Sequence, residues 1–71
     1  MKILILKTNI NSKNDFTSVK DNLNDSYKIN ECTIDLVDQD KVVRVIGDGL
    51  NLNDVISRFN GLGYSCEELP D

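Results

Sequence analysis

Two short polar signatures, Ser12-Lys13-Asn14-Asp15 and Asn51-Leu52-Asn53-Asp54, constrain this chain more than any other feature. Each places a helix-capping residue three positions ahead of an acid, downstream of a run rich in Ile, Leu or Val. The Ser12 hydroxyl is placed to accept from the Asp15 amide. The Asp15 carboxylate is placed to reach back to the Ser12 amide, although Asp is a shorter arm than Glu. Asp15 also falls in the first turn, where the helix dipole favours negative charge.

What surrounds the two signatures gives the order of elements. Residues 2–10 read as a strand with Leu4 and Leu6 on one face and Ile3 and Ile5 on the other, the pattern of a central strand. After Ser12, Phe16, Val19 and Leu23 recur as one helical stripe, ending near Asn24–Ser26. Lys28 to Leu36 alternates, with Cys32, Ile34 and Leu36 against Glu31, Thr33 and Asp35. Asp38-Gln39-Asp40 is a polar turn, and Lys41 to Ile46 completes a hairpin. Gly47-Asp48-Gly49 breaks that strand. Beyond Asn51, Leu52, Val55, Ile56, Phe59 and Leu62 form a second stripe, with Gly63 as its left-handed stop. The segment 65–69 is a short last strand and Pro70 ends it.

The order is therefore β-α-β-β-α-β. With right-handed crossovers it predicts an α+β, ferredoxin-like sandwich, a four-stranded antiparallel sheet with two helices on one face. The first and third strands are central and the other face of the sheet is open. Cys32 and Cys66 then lie on opposite edge strands, roughly 14 Å apart and out of reach of a disulfide.

At 71 residues there is material for one small domain. Twelve acidic and 8 basic residues leave a net charge of −4, which argues against nucleic-acid binding, since phosphate backbones require a basic patch. The central strands also lack the aromatic residues with which this architecture stacks RNA bases. No apolar run is long enough for a signal peptide or a membrane span, so the expected location is cytoplasmic, without membrane insertion. There is no His, no phosphate-cradling glycine loop and no clustered carboxylate pair in one segment. The expectation is that the protein is not an enzyme.

Over essentially its whole length the chain resembles the heavy-metal-associated domain, the module of small copper chaperones and of metal-pump N-termini. The resemblance rests on residues 10–15 in the position of the family's M-x-C-x-x-C loop and on Val19 and Leu23. It continues through Ile34-Asp35-Leu36, Val43-Arg44-Val45-Ile46-Gly47, and Gly63-Tyr64 before a strand ending Glu68-Leu69. It implies one heavy-metal-associated-like domain over 1–71. Ile10 stands where the family has its loop Met, and Tyr64 where an aromatic residue flanks the loop. Ser12 and Asp15 stand where the family has its two cysteines. Thiolates suit soft ions, whereas a hydroxyl is a poor donor to them and a lone carboxylate suits hard ions weakly.

The sequence thus describes a degenerate heavy-metal-associated-like domain, a non-enzymatic interaction or accessory module. It has no cofactor, no thiolate metal site and an unidentified protein partner. The alternative is a heavy-metal carrier that binds Cu or Zn weakly through non-standard ligands, supplied by a dimer or by Cys32 and Cys66. Asn11 and Asn14, with Asn9, are candidate recognition residues in the loop, against their ordinary use in turns and caps. Ile3, Ile5 and Arg44 are candidates for a docking surface on the open face of the sheet. Asp38, Asp40, Asp48, Asp54, Glu67 and Glu68 read as a solvated acidic surface.

Overall fold

The computed structural model describes residues 1–69, so Pro70 lies outside the described residues. The elements are β1 (Lys2–Thr8), α1 (Lys13–Ser26), β2 (Lys28–Ile34), β3 (Val43–Asp48), α2 (Leu52–Gly61) and β4 (Cys66–Glu68). They form a four-stranded antiparallel sheet in the order β2-β3-β1-β4, the expected arrangement with β1 and β3 central. Leu4 and Leu6 of β1 and Val43 and Val45 of β3 project from one face of the sheet. They are buried in a single core with Val19 and Leu23 of α1 and Val55 and Phe59 of α2. Full burial of a side chain such as Phe59 contributes about 1.5–3 kcal/mol before cavity effects. Both helices therefore cover the same face.

Several boundaries differ from the sequence expectation, each for a local reason. β1 stops at Thr8 rather than Ile10, because the Thr8 hydroxyl turns back to accept from the Ile10 amide at 3.3 Å. β2 stops at Ile34 rather than Leu36. The Asp35 carboxylate captures the amides of Val37 and Asp38 at 3.1 and 3.2 Å, competing with the sheet ladder as Asp side chains do. Leu36 is consequently outside the core. β3 begins at Val43, since Lys41 sits in the left-handed region at φ 46, a conformation that costs a non-glycine residue roughly 1–2 kcal/mol.

Gly47 does not break β3 but pairs within it, opposite Lys2 and Ile29. A Cβ there would lie 2.5 Å from the Lys28 carbonyl oxygen, so the close approach of β2 requires glycine. The chain turns instead at Gly49, φ 71. On α2, Leu62 is not part of the buried stripe but the exposed C-cap, and Gly63 at φ 95 takes the expected left-handed stop. β2 carries an irregularity between Ile29 and Glu31, leaving Asn30 without a partner in the ladder.

Candidate functional site

The antiparallel order brings three connections to one end of the molecule: residues 9–12 after β1, 35–42 between β2 and β3, and 62–65 between α2 and β4. Hydrogen bonds tie them together. The buried Thr8 hydroxyl donates to the Lys41 carbonyl at 2.7 Å, and the Thr8 amide donates to the Asp40 carbonyl at 3.1 Å. The Asn9 side-chain oxygen accepts from the Ser65 amide at 3.0 Å. The Lys41 ammonium donates to the Leu36 carbonyl at 2.7 Å, and Lys7 faces Asp40 at 3.7 Å.

Within this frame Ser12 is the N-cap of α1, its hydroxyl accepting from the Asp15 amide at 3.2 Å. Only this half of the anticipated reciprocal box is made. The return bond from Asp15 to the Ser12 amide does not form, and the Asp15 carboxylate lies beside the hydroxyl of Tyr64. Partial burial, and then that carboxylate, raise the Tyr64 phenol above its ordinary value. Ile10 is fully buried beneath the loop and Tyr64 packs on the edge of the core. Asn11 and Asn14 are exposed, and neither side-chain amide is hydrogen bonded among the described residues. Asn9, a candidate recognition residue, ties the loop to the connection between α2 and β4.

The donor set does not fit a soft metal ion. Ser12 contributes a neutral hydroxyl already used in the cap, and Asp15 a single carboxylate. The cysteines are elsewhere. Cys32 is level with Val45 and Leu4, while Cys66 is level with Thr8. Three strand spacings and four residues along β1 separate them by roughly 20 Å, whereas two thiolates on one ion lie within about 4.6 Å. They cannot share a metal within one chain. Burial pushes both thiols up to about 11, which disfavours the thiolate needed for ligation or redox chemistry. Among the described residues no three His, Cys, Asp or Glu side chains are grouped as a metal site.

The opposite end holds a cluster in which Asn51 and Asp54, expected as a cap and a solvated acid, are joined by Tyr27, Arg58 and Asn22. The Asn51 side chain caps α2 by accepting from the Asp54 amide at 3.0 Å. The Asp54 carboxylate then accepts from Arg58 at 2.8 Å and from the hydroxyl of Tyr27, the C-cap residue of α1. Arg58 also donates to Asn22 at 3.1 Å and lies 5.6 Å from the centre of the Tyr27 ring. The Arg58 and Tyr27 hydrogen bonds hold the Asp54 carboxyl below its usual range, and the Asp54 bond raises Tyr27. The Asp54-to-Arg58 spacing of four on a helix was the available signal. The contribution of Tyr27 came from tertiary placement alone.

No protein-family model matches the chain, and no curated protein matches it by sequence. Solved structures do. The solution structures of the yeast copper transporter domain Ccc2a, in apo and Cu(I)-loaded states, superpose with TM-scores of 0.84 and 0.82 at 19% identity. In both the match covers 100% of this chain and 99% of that one. A copper-binding domain from HMA7, a P-type ATPase, superposes with a TM-score of 0.79 at 15% identity, covering 99% of this chain and 96% of that one. The likeness is one of fold. No helix among the described residues is long and apolar enough to cross a membrane.

Proposed function

We propose that this chain is a non-enzymatic interaction or accessory module built on the fold of the copper-binding domains, one that has given up thiolate metal binding. A single observation carries the reading. At the junction of β1 and α1, Ser12 spends its hydroxyl on the helix cap, and Asp15 turns its carboxylate towards Tyr64. Both side chains serve the stability of the loop, and neither is a soft donor. The ties through Thr8, Asn9 and Lys41 support the same reading, because they anchor the loop through the chain's own side-chain and backbone groups. Asn11 and Asn14 are exposed there beside Asn9 and Lys13, a polar surface suited to a protein partner rather than to a metal.

Titration with Cu(I) against a chromophoric chelator under reducing conditions is the test. The wild-type chain is expected not to compete. Ser12→Cys combined with Asp15→Cys is expected to gain tight, one-to-one uptake, since two thiolates then flank a helix N-terminus. Stoichiometric tight binding by the wild type that perturbs residues 11–16 overturns the proposal. Uptake abolished by replacing Cys32 and Cys66 would instead favour the carrier with non-standard ligands.

A further inference from the structure

The geometry points to a second function of the chain, carried by the face of the sheet that the helices leave bare: reversible pairing with a second copy of itself. That face is distinct from the loop end and independent of the metal question. Its centre is apolar. Ile3 is 55% exposed and stands directly opposite Ile46, while Ile5 stands opposite Arg44 on the same central pair of strands. Ile5 and Ile46 are half-buried and lie outside the core cluster, on the face opposite both helices.

Charge selects the occupant. On β2, Glu31 is level with Ile46 and Thr33 with Arg44, so Glu31 and Arg44 are diagonal neighbours of opposite sign. Both are exposed, and neither belongs to an ion pair among the described residues, although Asp40, Asp48 and Asp54 are all paired elsewhere. A two-fold axis lying across the strands between two such faces turns one copy end over end. It places the Arg44 level of each copy over the Ile46–Glu31 level of the other. Ile3 of one copy then meets Ile5 of its mate, and each Arg44 approaches the other copy's Glu31. The contact is its own complement and closes at two copies. The contacts named come from three short strands and two exposed ion pairs, each of which contributes little, so the dimer is weak and concentration-dependent.

Sedimentation equilibrium of the full chain from about 10 μM to 1 mM, with NMR shifts followed on dilution, tests this. The expected result is a monomer–dimer equilibrium with a dissociation constant in the range of about 0.1–1 mM. Its dilution shifts should fall on Ile3, Ile5, Thr33 and Ile46. Both charges are exposed, so Arg44→Glu and Glu31→Arg should fold as the wild type does. Each should weaken dimerisation by about tenfold, as two like-charge contacts replace two pairs. The double variant should recover it. A strict monomer at 1 mM overturns the proposal and leaves the face to a different protein. So do dilution shifts confined to residues 9–15, or a dimer indifferent to Arg44→Glu.

Discussion

The two ends of the molecule solve the same problem differently. Each helix begins with a capping side chain and an aspartate three residues on, and each aspartate meets a tyrosine that follows the other helix: Asp15 with Tyr64, Asp54 with Tyr27. At the Asp54 end one carboxylate oxygen accepts from both Arg58 and Tyr27, and Arg58 reaches across to Asn22. At the Asp15 end no cation among the described residues forms an ion pair with the carboxylate, and order comes from side chains bound to backbone: Thr8 to Lys41, Asn9 to Ser65, and Ser12 to Asp15. One corner is held by side chains bonding one another between helices. The other is held by loops stitched together, and it leaves Asn11 and Asn14 facing outward. Equivalent starting sequences thus give one corner that is closed and one that still presents a surface.

Thr8→Val is the sharpest way to break that contrast. It preserves shape but strands the Lys41 carbonyl and the Ile10 amide, at a cost of about 2 kcal/mol, readable in urea unfolding. A loss confined to a few tenths of a kcal/mol would mean that the loop end does not depend on its stitching. Ser12→Ala and Asn51→Ala come next. Each removes one cap acceptor and should cost about 1 kcal/mol, so the two corners should respond alike at this level even though their further contacts differ.

The smallest effect is spectroscopic. Tyr27 owes its raised pKa first to the Asp54 hydrogen bond, whereas Tyr64 owes its first to burial. In single-tyrosine variants followed by tyrosinate absorbance, Asp54→Asn should bring Tyr27 back towards its ordinary value. Asp15→Asn should leave most of the Tyr64 rise in place. Equal responses would erase the distinction. Asp54 also has a lowered folded pKa, so its contribution to stability is present above its unfolded value of about 3.9 and is lost as pH falls through the folded value. The stability gap between wild type and Asp54→Asn should therefore close on acidification.

The architecture was readable because its signals were local and repeated. Periodic stripes, two caps and the left-handed Gly63 lie within short windows, and they fixed both the order of elements and the positions of the helix starts. Gly47 misled for a physical reason. A glycine inside a strand looks like a break until the neighbouring strand is seen to pass 2.5 Å from where a Cβ would be. Thr8 and Tyr27 were illegible as site residues, because their partners lie 33 and 27 positions away. At the loop, Ser12 was legible as a cap. The turn of Asp15 towards Tyr64 was not, since nothing in a sequence window measures the space between two loops.

The irregularity at Asn30 bears on how the chain behaves when crowded. β2 is an outer strand, and a long flat outer strand is a template for fibril growth. Its unpaired residue breaks the rhythm a new strand would need, and Lys28 and Glu31 flank it with charge. The other margin, β4, is only three residues long and carries Glu67 and Glu68. Concentrated solutions should therefore resist runaway strand addition.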